Sequence, residues 1–213
     1  MEYLRPELID QSAPGARRLI VSFAGLMNKM GGIPQYEFRN FLSKNFPEDH
    51  KIYYIDLHKK WYYRGIPGIT SNIDETVAYL NGKIAGYDQV VFIGTSAGGY
   101  AAILFGALCS GVTTVIAFIP QTILYPYAEN DRLGQRKYFN LRNVLIESDN
   151  QETQYHLYGD KTIADITHLH HIYHCRNLQG LRGVTVYEMN GLDMPSLRNS
   201  GELLRIFHSH FDA

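Results

Sequence analysis

Short runs of β-branched and aromatic residues recur along the chain. Stretches with apolar positions at helical spacing separate them. Arg18–Ala24 (RLIVSFA), Lys51–Leu57 (KIYYIDL), Gln89–Ile93 (QVVFI), Thr113–Ile119, Gln154–Tyr158 and Val184–Met189 read as strands. Tyr36–Phe46 reads as a helix, with Phe38, Phe41 and Leu42 on one face. Ile73–Ile84 reads as a second, capped by Asn72 or Ser71. The Ala/Gly-rich stretch Ala97–Cys109 is a third, Ile163–Cys175 a fourth and Ser196–Phe207 the closing one. Gly31-Gly32 with Pro34 marks a loop, and Trp61–Ile69 is an aromatic loop punctuated by Gly and Pro. Pro120–Asp149 has no clear period. It reads as an irregular insertion at about 120–150, with a short helix near Leu141–Ile146.

Strands alternating with helices imply βαβ units. The expected fold class is α/β: a three-layer α/β/α sandwich with a mostly parallel sheet, in one domain spanning 1–213. In such sheets ligands bind at the carboxyl ends of the strands. Residues just after Ala24, Ile93, Ile119, Tyr158 and Met189 therefore become the candidates for chemistry.

Composition narrows the field further. The 213 residues are 45% hydrophobic, enough for a full core without staples. Net charge is −1, which gives no basic footprint for nucleic acid. Cys109 and Cys175 are too few for a disulfide framework and suit a reducing compartment. The first eleven residues carry Glu2, Arg5, Glu7 and Asp10, so no apolar leader is expected there. No apolar run reaches the ~18 residues of a membrane span. The expectation is a cytoplasmic protein with neither nucleic acid nor membrane as partner. Nine histidines, unevenly placed, are the one oddity.

Gly94-Thr95-Ser96-Ala97-Gly98 is a G-x-S-x-G between a buried strand and a helix, the context this motif requires. The glycines let strand and helix approach closely around a strained turn that raises the Ser96 hydroxyl above the sheet. The N-terminus of the helix beginning at Ala97 points free N–H groups at the same place. A Gly-rich packing turn or a phosphate loop is the alternative. No P-loop lysine and no G-x-G-x-x-G supports the latter.

On this motif, with FAG (Phe23–Gly25), GTSAGGYAA (Gly94–Ala102), PQT (Pro120–Thr122) and the D-x-x-H of Asp165–His168, the chain resembles the α/β-hydrolase family from Leu19 to Phe207. The form is compact and lacks the first strands. It looks most like small bacterial hydrolase-like proteins often tied to surface-polysaccharide genes. The resemblance implies Ser96 as nucleophile, with the Ala97 and Leu26 N–H groups as the oxyanion hole. It implies Asp165 as the acid, although Asp160 stands at the strand end and Asp165 would equally serve as a helix cap.

The base does not fit the family pattern. It should lie in the loop Asn190–Ser196, where Leu192 takes its slot and no histidine occurs. His168, one turn after Asp165, is the candidate replacement, and His171 follows it. His170 and His174 share a different stripe. His208 and His210 fall at the far end of the closing helix. Asp193 would be a poor base toward a hydroxyl. Alternatively the base is lost.

His168, His171 and Cys175 lie on roughly one helical face, and His170 and His174 form an i, i+4 pair. Without a ligand on a second element they make no metal site. Tyr53, Tyr54, Trp61, Tyr62 and Tyr63, with Tyr125, Tyr127 and Tyr138, mostly read as core edge, and Trp61 and Tyr125 are pocket candidates. The expectation is a serine esterase or thioesterase forming an acyl-Ser96, with catalytic Ser96, Asp165 and His168, no metal and no cofactor. Its substrate would be a small-molecule ester or an acylated glycan. The alternatives are a silent hydrolase-fold binding protein and a glycan acyltransferase.

Overall fold

Alternation along β2 (Arg18–Phe23) sets the layers. Leu19, Val21 and Phe23 join one core cluster and Ile20 the other, as a strand buried on both faces requires. The computed structural model describes residues 5–26, 29–30, 33–125 and 135–211, with 29–30 and 33–34 as backbone only. The Gly31-Gly32 loop and Tyr127 lie outside the described residues.

The remaining elements, in chain order, are β1 (Glu7–Asp10), which precedes β2, then β3 (Lys29–Met30), β4 (Ile33–Pro34), α1 (Arg39–Asn45), β5 (His50–Tyr54) and α2 (Ile73–Ile84). They continue with β6 (Gln89–Thr95), α3 (Ala97–Leu108), β7 (Thr114–Phe118), α4 (Leu141–Glu147), β8 (Gln154–Asp160), α5 (Tyr173–Arg176), β9 (Val184–Met189), α6 (Met194–Asn199) and α7 (Glu202–Phe211). Seven strands make one sheet in the order β1-β5-β2-β6-β7-β8-β9, and β3 pairs with β4. Only β1 runs antiparallel in the large sheet. The expected α/β class with a mostly parallel sheet is the one observed.

Helices α2, α3, α4 and α5 contribute to the core on one face, and α1, α6 and α7 to the core on the other. Helix α3 is buried along almost its whole length, and its small residues let it lie directly on the sheet. A Cβ on Gly106 would come within 2.4 Å of the Val115 side chain. No described helix is long and apolar enough to cross a membrane.

Four local expectations are corrected. Strand β1 was not foreseen, because four residues carrying Glu7 and Asp10 show no apolar run. Strand β5 stops at Tyr54 rather than Leu57, because the Asp56 carboxylate takes the Lys60 and Tyr62 N–H groups and folds the chain into a loop. The closing helix is two, α6 and α7, separated at Gly201, whose φ is 78°. The stretch Ile163–Cys175 is helical only from Tyr173, as part of α5. Before it, Asp165 caps the Thr167 N–H, His168 Nδ1 the His170 N–H, and His171 Nδ1 the Tyr173 N–H. Side chains that bond nearby backbone donors compete with the helical ladder, and here they wind the segment into successive turns.

Candidate active site

The Gly94–Gly98 turn lies where β6 meets α3, and its glycines have no substitute. A Cβ on Gly94 would sit 2.3 Å from the Gly98 carbonyl, and one on Gly98 would sit 2.0 Å from the Phe23 carbonyl oxygen. Ser96 has φ 58° and ψ −119°, a strained conformation for a side-chain-bearing residue. Its N–H is held by the Phe118 carbonyl at 2.9 Å. Ala97 opens α3, so its N–H has no intrahelical acceptor.

Ser96 Oγ has two side-chain partners. His170 Nε2 lies 2.9 Å away, and Gln121 Nε2 donates to the oxygen at 2.7 Å. Gln121, buried in the loop after β7, is fixed in turn by the Trp61 indole N–H, which donates to its Oε1 at 2.9 Å. In the tautomer that leaves Nε2 unprotonated, the serine hydroxyl donates to His170 while Gln121 donates to the serine oxygen. Burial, reinforced by the charge of His168, lowers the His170 pKa below the ordinary histidine value, so the ring is neutral and able to accept the serine proton.

The residues taken from the sequence fall around this pair. Leu26, Ser96, Asp165 and His168 line one cavity of about 700 Å³, together with His170, Gln121, Trp61 and Glu37. That volume is in the ordinary range for small-molecule sites. Trp61 (φ 50°), Ile119 (φ 40°) and Phe38 (φ 63°) hold positive φ at or beside its wall. Such strain clusters where surrounding structure has to aim side chains.

The structure does not join Asp165 or His168 to the serine. The Asp165 Oδ1 accepts the Thr167 hydroxyl and N–H, and these bonds hold its pKa low on an exposed turn. His168 offers its Nδ1 to the His170 N–H at 3.1 Å, with the two rings edge to face. The serine's hydrogen bond goes to His170, the histidine that the helical-stripe reading set aside.

Asp160 is also committed elsewhere. Its carboxylate accepts the Thr162 hydroxyl and N–H and the Gly191 and Leu192 amides. Burial raises its pKa, but these donors outweigh that and hold it low. Asp160 therefore ties the end of β8 to the loop after β9 that contains Leu192. Among the described residues no carboxylate is hydrogen-bonded to His170, and none form a metal-ligating cluster.

Two of the missed residues had weak signals. Gln121 belongs to the PQT stretch, but an amide in a loop carries no periodicity. His170 was visible only as one of several histidines, because its direction depends on the turns before α5. Of the aromatic candidates, Trp61 lines the cavity. Tyr125 is half-exposed and packs edge-on against Phe139. His210 bonds the Tyr158 hydroxyl at 2.6 Å and has no contact with Ser96.

No protein-family profile and no curated protein matches the chain. Solved structures do. The capsule O-acetyltransferase of Neisseria meningitidis serogroup A superposes with a TM-score of 0.68 at 13% identity, over 94% of this chain and 89% of its own. Esterase B of Lactobacillus rhamnosis gives 0.59 at 16% identity, over 91% and 77%. The fluorophosphonate-binding serine hydrolase F of Staphylococcus aureus gives 0.59 at 12%, over 93% and 85%. At these identities the likeness shows the fold alone, and that fold is α/β-hydrolase-like.

Proposed function

We propose that the protein is a serine-dependent acyl-transfer enzyme of the esterase class, working through an acyl-Ser96 with His170 as its base. The observation that carries this reading is the 2.9 Å Ser96–His170 hydrogen bond at the strained turn opening α3. An ester entering the cavity meets Ser96 Oγ, which attacks the acyl carbon as His170 Nε2 takes the hydroxyl proton. The Ala97 and Leu26 N–H groups receive the oxyanion, and the Gln121 amide, already on Oγ, adds a donor. The intermediate collapses, the C–O bond to the leaving alcohol breaks, and His170 returns the proton to that alcohol. Water, deprotonated by His170, then attacks the acyl carbon; the bond to Ser96 Oγ breaks, His170 returns the proton to that oxygen, and the acid is freed. In this reading Asp165 and His168 wall the pocket and do not relay protons.

A second reading replaces water by a sugar hydroxyl, giving a glycan acyltransferase. The capsule O-acetyltransferase likeness supports it. A further structure of that protein, at 13% identity and a TM-score of 0.67, contains CoA, which suggests an acyl-CoA donor here too. Incubation with acetyl-CoA and an oligosaccharide, followed by product analysis, separates transfer from hydrolysis.

Labelling with a fluorophosphonate tests the shared step. The wild type is expected to label, and Ser96→Ala and His170→Ala are not. A wild type that labels no better than Ser96→Ala would sink the reading and leave the silent binding protein in its place.

A further inference from the structure

Glu37 lines the same cavity as Ser96, but the steps above give it no part. Its placement is specific. The Ser22 hydroxyl donates to the Glu37 carbonyl at 2.8 Å, and Phe38, the next residue, is left-handed at φ 63° before α1 begins. A phenylalanine pays about 1–2 kcal/mol for that conformation. Packing against Phe118 and Phe207, with ring centroids 6.1 and 5.9 Å away, holds it there. This backbone turn carries the Glu37 carboxyl under the end of β2, where its Oε2 accepts the Gly25 N–H at 2.8 Å.

The other end of the same peptide is also held. The Ala24 carbonyl accepts the Tyr62 hydroxyl at 2.9 Å, and the Ala24 N–H donates to Tyr54 at 3.0 Å. The Ala24–Gly25 peptide plane is therefore fixed on both sides. It lies directly against the serine turn, since a Cβ on Gly25 would be 3.7 Å from the Ser96 Cβ. The next amide along the chain is that of Leu26.

We propose that Glu37 is the positioning residue of the oxyanion hole: its carboxyl clamps the Gly25 N–H and so fixes the peptide from which the Leu26 N–H is aimed at the acyl oxygen. This inference rests on the Ser96 reading for its catalytic consequence, though not for the clamp itself.

The protonation state of the carboxyl then matters. Burial pushes the Glu37 pKa up to about 7, against the lowering effect of the Gly25 N–H bond and the nearby Thr95 hydroxyl. The ionisable groups facing it are Tyr62, from the loop after β5, and Asp165, His168 and His170 across the cavity. A neutral Glu37 holds the peptide without setting a negative charge beside the forming oxyanion. Ionised, it still holds Gly25 but opposes the transition state. The rate should therefore decline as pH rises through about 7.

Two measurements test this. Hydrolysis of p-nitrophenyl acetate by Glu37→Leu should lose about 10- to 100-fold in kcat with KM changed less than about threefold. Glu37→Gln, which keeps an acceptor, should recover most of that loss and abolish the decline above pH 7. Independently of turnover, the Gly25 amide followed by NMR in the 15N-glycine-labelled protein should titrate with a midpoint near 7. In Glu37→Gln it should not titrate. A Gly25 resonance indifferent to pH overturns the clamp, and a Glu37→Leu enzyme with wild-type kcat overturns its catalytic role. If Glu37→Leu fails to fold, the Gln variant and the resonance decide. If the wild type fails to label with a fluorophosphonate, the Ser96 reading falls alone and the Gly25 resonance still decides the clamp.

Discussion

His170 Nε2 lies 2.9 Å from Ser96 Oγ although 74 residues separate them in sequence. The imidazole comes from the turns after β8, not from the loop after β9. In that loop, Leu192 donates its N–H to Asp160 at 3.0 Å. A histidine is thus supplied from a different segment of the same end of the sheet. Removing it by His170→Ala should lower kcat/KM for a simple ester by about 10²- to 10⁴-fold, the usual contribution of a general base. His168→Ala, which removes a bond to the His170 N–H and an edge-to-face ring contact but no bond to Ser96, should cost less than about tenfold. Equal losses in the two variants would remove His170 from the role of base.

Gln121 holds the serine from the other side. Gln121→Met removes the donor at similar size, and kcat should fall about 10-fold or more. Gln121→Glu retains an acceptor for the Trp61 indole but brings a negative charge within hydrogen-bond distance of Oγ, and should fall further. Steady-state kinetics of the three proteins give the order. If Gln121→Glu proved as active as the wild type, the amide would have no donor role.

Much of this site was legible in the sequence because the serine turn is local. A buried strand, two glycines at fixed offsets and a run of small residues are consecutive, and close strand–helix approach dictates each of them. The partners of Ser96 are not local. Helical periodicity over 163–175 sets His170 on a different stripe from His168, but the Asp165, His168 and His171 side chains unwind the ladder there and the stripes do not form. Glu37 falls inside the stretch Tyr36–Phe46, whose helical pattern gives it no distinguishing signal. Only the left-handed Phe38 turns it toward the cavity, and no hydrophobic pattern encodes a backbone angle. Strand β1 escaped notice because an edge strand with one covered face needs few apolar residues.

As the proposed base, His170 should set the acid side of the pH profile. A protonated His170 cannot take the serine proton, so kcat/KM falls as pH drops through its pKa. Burial first, and the His168 charge second, lower that pKa below 6.5. The acid limb should therefore have its midpoint below 6.5 and not at the ordinary histidine position. A kcat/KM profile from pH 4 to 8 measures it directly, and a midpoint at or above 6.5 would contradict a buried, neutral base.

Stability should respond to acid through His174. Its Nδ1 accepts the Thr122 N–H at 3.2 Å, and burial, helped by the His170 and His171 charges, lowers its pKa to about 4. Above about pH 6.5 the ring is neutral folded and unfolded, and contributes no pH dependence. Between 6.5 and about 4 the unfolded chain takes up a proton that the native ring refuses, so stability falls as pH falls. The full loss is about 3 kcal/mol. His156, whose pKa burial and the His210 charge also lower to about 4, adds a similar slope. Urea midpoints at pH 7 and pH 4.5 should therefore differ less for His174→Gln than for the wild type, with the His156 contribution common to both. The same difference in both proteins would show that His174 is not held neutral.

The closest tolerances belong to Gly98. Its missing side chain faces the Phe23 carbonyl oxygen, which a Cβ would approach to 2.0 Å. That oxygen belongs to backbone at the end of β2, between β5 and β6 in the sheet, so it cannot swing aside as a flexible side chain would. Gly98→Ala must push α3 away from the sheet, or displace the β2 end that leads into Gly25 and Leu26. Gly82, exposed within α2, has nothing within 4 Å of its Cβ direction, and Gly82→Ala should stabilise the helix by roughly 0.5–1 kcal/mol. Gly98→Ala should instead destabilise by several kcal/mol, beyond the ~1 kcal/mol typical of a point change. Thermal melts of the two alanine variants should move in opposite directions from the wild type. A Gly98→Ala protein melting with the wild type would mean that strand and helix meet less closely at the serine turn than described.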